Sequence, residues 1–183
     1  MKTDLASFDN SWYSPGNRGK ILFWFFFNAF FLKNSYNPFS GLKITVLKLF
    51  GAQIGKGVVI KPSISVKYPW KLKIGDYTWI GENVWIDNLD EVTIGSHVCI
   101  SQGALILCGN HNFKKPSFDL IIKPIILEDG VWIGANSTVT QGVICHSHSV
   151  LSVQSLANKN LEPYSIYQGI PAIKIRERKI DEA

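Results

Sequence analysis

The pentapeptide Gly109-Asn110-His111-Asn112-Phe113 is the place in this chain where the residue types best suit acid–base chemistry. A loop histidine can serve as a general base near neutral pH, because its unperturbed pKa is about 6.5. Such a base suits a hydroxyl that must lose its proton before it attacks an acyl carbonyl, with an N–H donor nearby for the oxyanion that develops. A solvated or capping histidine fits the same residues, so on chemistry alone His111 is a candidate. Asp87, Asn88 and Asp90 cluster at a turn upstream; they read either as a polar turn or as a group that stacking brings beside His111. The other histidines carry less. His97 falls at an outward corner, and His146-Ser147-His148 has a metal-like spacing but no third ligand nearby.

The elements that would position these residues come from an internal repeat. Aliphatic residues recur every six positions: Ile54, Ile60, Val66; Ile74, Ile80, Ile86; Ile94, Ile100, Ile106; and Leu127, Ile133, Val139, Cys145, Leu151. Thirteen of these fourteen positions are Ile, Leu or Val, where composition alone would give about three or four. The next residue is often small, as at Gly55, Gly75, Gly81, Gly95 and Gly134. The fifth of each hexad is small or β-branched, as at Val58, Thr78, Val98 and Ser137. A period of six fits neither an α-helix nor strand alternation. It fits a triangular coil in which each hexad supplies one face and one corner, and three hexads make a turn. The expected role of the small residue is to reach φ > 0 at the corner. Two extra residues per turn fall at one corner, and the register breaks between Ile106 and Leu127, which expels residues 110–124 as a loop. Loops on rigid scaffolds carry function disproportionately.

The chain is thus expected to be an all-β solenoid in three parts. Residues 1–53 form a wrapping, helical segment, with helices on either side of Asn37-Pro38. Residues 54–157 form the parallel β-helix with its loop at 110–124. Residues 158–183 form a tail, with a short helix expected over the charged stretch Lys174–Glu182. Ile21–Leu32 reads ILFWFFFNAFFL, too short for a bilayer span of about 20 residues. It is either a helix packed on the coil or one lying in a membrane interface.

The 183 residues suit one domain, and 46% hydrophobic content sustains a core. The net charge of +5 suits an anionic ligand or an acidic membrane face. No compact basic run supports nucleic-acid binding. Cys99, Cys108 and Cys145 make no C-x-x-C pair and fit free thiols in a reducing cytoplasm. No basic segment leading an apolar one opens the chain, so export is not expected.

Several stretches carry a resemblance: Ile80-Gly-Glu-Asn-Val-Trp-Ile-Asp-Asn88, Val98-Cys-Ile-Ser-Gln-Gly103, the His111 pentapeptide, Lys123-Pro124, Val131-Trp-Ile-Gly-Ala135 and Gly169-Ile-Pro-Ala172. In these the sequence resembles the hexapeptide-repeat (left-handed β-helix) acyltransferases, specifically the galactoside and maltose O-acetyltransferase branch, and within it the WcaF-like enzymes of colanic acid biosynthesis. The hexads alone are shared with serine acetyltransferases, N-acyltransferases and carbonic anhydrases. The histidine loop, V-W-I-G-A and G-x-P-A are more specific.

The resemblance implies left-handed coiling, a homotrimer with sites between neighbours, acetyl-CoA as donor, no metal, and a saccharide acceptor. If that acceptor is lipid-linked, residues 21–32 suit docking at the inner membrane face. It makes His111 the base. It assigns Trp132, Ala135 and Val153 to the acetyl and pantetheine groove, Asn158, Lys159 and Arg176 to the nucleotide end of the cofactor, and Asp87 and Asn88 to the acceptor. Val153 stands where the family has Ala, and Asn158 where it has Thr. Cys145-His-Ser-His-Ser149 replaces the usual I-G-D-x-A. An N-acyltransferase acting on an amino sugar is the alternative, since the same base serves an amine.

Overall fold

Residues 2–181 are described in a computed structural model, and the hexads govern it. Turn one is β1 (Gln53–Ile54), β2 (Val59–Ile60) and β3 (Ser65–Val66). Turn two is β4 (Leu72–Ile74), β5 (Trp79–Ile80) and β6 (Trp85–Asp87). Turn three is β7 (Val92–Ile94), β8 (Cys99–Ile100) and β9 (Leu105–Leu107). A hairpin, β10 (Gly109–His111) and β11 (Leu120–Ile122), interrupts the coil. It resumes with β12 (Ile125–Leu127), β13 (Trp132–Ile133) and β14 (Thr138–Thr140), then β15 (Ile144–Cys145), β16 (Val150–Leu151) and β17 (Leu156–Ala157). The turns stack in parallel into a first face β1-β4-β7-β12-β15, a second face containing β2-β5-β8-β13-β16, and a third face β3-β6-β9-β14-β17. This is a left-handed parallel β-helix.

All fourteen hexad-leading side chains are buried, and so are Val58, Thr78, Val98 and Ser137 among the fifth positions. Register is strict: Ile54, Ile74, Ile94, Leu127 and Cys145 align up one face. The result is an aliphatic column in which each turn buries the ends of its neighbours.

The corners differ from the sequence expectation in one respect. Positive φ falls three residues after the aliphatic, not one: Gly57, Ser63, Tyr77, Asn83, His97, Gly103, Gly130 and Asn136 all have φ between 54° and 70°. The glycine next to the aliphatic is needed for stacking instead. A Cβ on Gly75 would lie 2.6 Å from the backbone C of Gly95 and N of Ser96, and one on Gly134 would lie 2.5 Å from Val153 N. The coil above passes too close for a side chain.

The N-terminal helices close the open end. α1 (Arg18–Phe27) is capped by Asn17, whose side chain accepts from Lys20 N, and runs into a π turn, Asn28–Leu32. α2 (Ser40–Leu49) follows. Trp24, Leu32, Val46 and Leu47 join the core. The first coil would otherwise present bare strand edges. Trp24 Nε1 donates to Val66 O at 2.9 Å, the fully buried Lys43 donates to Ile60 O at 3.2 Å, and Ser40 Oγ accepts from Ile60 N at 2.8 Å. Burial lowers the Lys43 pKa.

The C-terminal stretch corrects the expectation of a helix. The coil continues past Ala157, with Leu161 bridging to Cys145. β18 (Ser165–Gly169) then extends the second face beside β16, and β19 (Ala172–Glu177) pairs antiparallel with β18. Alternating Ala172, Lys174 and Arg176 with Ile173 and Ile175 fits a strand period of two, and docking on β18 satisfies its backbone. Glu182, the end of the expected helix, lies outside the described residues.

Candidate functional site

The extra residues of each turn collect at the corner between the third and first faces, and His111 emerges there. β10 and β11 pair antiparallel with His111 opposite Leu120. The segment between them turns back through Asn112 N to Asp119 O at 2.8 Å. The His111 ring stacks on Phe118 (centroids 4.5 Å apart, planes at 11°), with Phe8 of the N-terminal arm tilted against it at 5.7 Å. His111 Nδ1 lies 2.9 Å from Phe118 O. A carbonyl oxygen only accepts, so in the neutral ring Nδ1 carries the proton and Nε2 the lone pair. Phe118 and Phe8 had no signal in the sequence, because their roles come from the hairpin fold and from an arm held across it, with Asp4 N donating to Pro116 O at 2.8 Å.

One coil below, Asp87 ends β6 opposite Leu107. Its Oδ1 lies 2.9 Å from Lys67 Nζ, and it lines a small cavity of about 280 Å³ with Asn28, Lys67, Tyr68 and Trp85. Asn88 departs from the expected acceptor contact. It is fully buried, its Oδ1 accepts from Tyr68 N at 2.9 Å, and its Nδ2 donates to Tyr68 O at 2.6 Å. Both polar ends of the amide are committed to the adjacent coil. Cys108, next to Gly109, is no nucleophile. Burial pushes its thiol up to about 12.

A second constellation lies at another corner, between the second and third faces. A groove of about 600 Å³ is lined by Trp132, Gly134, Ala135, Ser152, Val153 and Arg176, among others. Four of the six residues expected at a cofactor thus meet there. Trp132 is fixed by its Nε1 donating to Ser101 Oγ at 2.9 Å. Arg176 arrives because β19 pairs across β18, with Arg176 opposite Ile166. Arg178, which no motif in the sequence singles out, also lines the groove. Its guanidinium donates to Gly130 O at 2.9 Å and His148 O at 3.1 Å. The charge of the tail was its only sequence signal. The groove has apolar walls and two guanidinium groups at one end, which suits a thin ligand carrying phosphates.

Asn158 and Lys159 are not in this groove. They follow β17 and so sit, exposed, at the corner between the third and first faces, in the same stack as Asp87 and the hairpin. The candidate residues therefore fall at two different corners of the chain: His111, Asp87 and Lys159 on one, the groove on the other. Among the described residues no three His, Cys, Asp or Glu side chains converge as a metal-ligand cluster.

No family model matches the chain. It is 35% identical over 176 residues to the colanic acid biosynthesis acetyltransferase WcaF of Escherichia coli K12, covering 96% of this chain and 97% of that protein. It is 26% identical over 136 residues to the E. coli galactoside O-acetyltransferase, covering 73% of this chain and 67% of that protein. Among solved structures, a hexapeptide-repeat-containing acetyltransferase of Vibrio cholerae complexed with acetyl coenzyme A superposes with a TM-score of 0.74 at 26% identity, covering 80% and 81% of the two chains. End-to-end likeness to WcaF, on a coil built from the same kind of hexads, makes this chain a member of the hexapeptide-repeat acetyltransferase family.

Proposed function

We propose that the protein transfers the acetyl group of acetyl-CoA to a sugar hydroxyl in surface-polysaccharide synthesis, with His111 as general base. The observation that carries this reading is the fixed tautomer of His111. Phe118 O holds the Nδ1 proton, which leaves Nε2 free to take a proton from the acceptor. The alkoxide then attacks the thioester carbonyl, and a backbone N–H stabilises the tetrahedral oxyanion. Collapse expels CoA thiolate, which takes the proton back from the imidazolium.

Acetyl-CoA fits the groove along Trp132, Ala135 and Val153, with Arg176 at its phosphate end. The family relatives supply the donor: the V. cholerae structure was solved with acetyl coenzyme A. The two half-sites belong to different corners of one protomer, so a complete site requires two chains. A homotrimer supplies this if the corner bearing His111, Asp87 and Lys159 faces the groove of its neighbour. Such a contact is heterologous and closes into a ring of three. In that arrangement Asp87 contacts the acceptor and Lys159 approaches the nucleotide. Asn88 holds the corner, and Asn158, exposed beside Lys159, lines the approach.

The test is thiol release from acetyl-CoA with matched acceptors that offer a hydroxyl or an amine, followed by mass spectrometry of the product. Acetyl ester on the sugar supports the assignment. Exclusive amide formation replaces it with the N-acyltransferase reading.

A further inference from the structure

We infer that the outer face of α1 docks this protein onto an anionic lipid bilayer surface. From Ile21 to Leu32, α1 and its π turn are apolar apart from the inward Asn28. The inner positions Trp24, Asn28 and Leu32, spaced four apart, are buried against the coil. The opposite positions Leu22, Phe26 and Phe30 are 59%, 50% and 68% exposed, with Phe23 and Phe25 beside them at 66% and 64%. A helix on a water-facing surface is polar on its outer side. Five contiguous large apolar side chains in solvent mark a surface that something else covers.

Charge identifies the occupant. Residues 10–75 contain ten Lys or Arg and no Asp or Glu, although the whole chain is only +5. The remainder of the chain is therefore net acidic, and the molecule is polarised along its coil. Arg18, Lys20, Lys33 and Lys48 flank the aromatic face, are exposed, and enter no ion pair among the described residues. Apolar side chains framed by cations that no carboxylate neutralises are complementary to a headgroup layer of negative charge over acyl chains. A second copy fits worse, because both an isologous contact and the side-by-side packing of parallel coils in a closed ring set cationic ends together. Spanning is not at issue, as no helix among the described residues is long and apolar enough to cross a membrane. The docking mode is interfacial, with the aromatic face in the headgroup boundary.

Co-sedimentation of the full chain with vesicles tests this. One set is phosphatidylcholine alone, and the other includes roughly a third phosphatidylglycerol. The expected result is binding to the anionic vesicles, weak binding to the neutral ones, and release by high salt. Phe26→Ser/Phe30→Ser and, separately, Arg18→Glu/Lys48→Glu should each weaken partitioning at least about tenfold, with subunit number and solution thiol release from acetyl-CoA unchanged. Three results overturn docking: no binding of the native protein to anionic vesicles, equal binding of the variants, or equal binding to both vesicle types. A change of subunit number in the phenylalanine variant, without vesicle binding by the native protein, assigns the face to a contact between copies. None of these outcomes bears on His111, so the proposed acetyl transfer stands or falls separately.

Discussion

At the scale of single residues, the proposed role of His111 rests on one carbonyl. Phe118 O fixes which ring nitrogen holds the proton, and the Phe118 ring stacked on it fixes the plane. Removing the imidazole by His111→Ala should lower kcat about 10²–10⁴-fold, while acetyl-CoA affinity measured calorimetrically stays near native, because the substitution leaves the groove residues Trp132, Ala135, Val153 and Arg176 untouched. Native turnover in that variant would remove His111 from the mechanism. Asn88 teaches the opposite lesson. A polar residue beside a candidate site is committed, by both ends of its amide, to the backbone of Tyr68. The same side-chain chemistry serves a corner when the coil below is within reach and a ligand when it is not.

At the scale of elements, the corners divide their demands between two positions. Gly75→Ala puts a methyl group against the backbone of Gly95 and Ser96 and should cost about 1–3 kcal/mol. Asn83→Gly, at φ 58°, should change stability by less than about 1 kcal/mol. Equal effects on the unfolding midpoints would contradict this division. A further clasp joins the fourth and fifth turns. Glu128 accepts from Ser147 N at 2.7 Å and Ser147 Oγ at 2.8 Å, and faces His146 Nδ1 at 2.9 Å. The Ser147 hydroxyl, then His146, lower the Glu128 pKa below its usual 4.5. A lowered folded-state pKa contributes stability that is present above the unfolded value and lost as pH falls through the folded one. Glu128→Gln should therefore lower the thermal midpoint at pH 7, and the gap to native should close as the pH falls below about 4.5. A gap that stays constant with pH would show that the carboxylate charge is not involved.

At the scale of the whole molecule, the proposed trimer, with His111 of one chain facing the groove of its neighbour, would make subunit number a functional quantity. In it, His111→Ala and Trp132→Ala homotrimers should each be poorly active. Mixed after subunit exchange at equal amounts, they should recover about a quarter of native activity, because one site in four then draws an intact base from one chain and an intact groove from its neighbour. No recovery after verified exchange would place both halves of the site in one chain.

The coil was legible from residue order alone, because a six-residue period constrains each side chain to one face and buries all fourteen leading positions. The loop at His111 was legible for the same reason, as the place where that period fails. Two things required tertiary structure. The charged tail became β19 because β18 offered an edge for it to pair with, and local composition carries no information about a distant edge. The candidate residues fell into two groups because the corner each occupies depends on its phase within the triangular turn, which sets Asn158 and Lys159 on the same corner as His111 and away from Trp132.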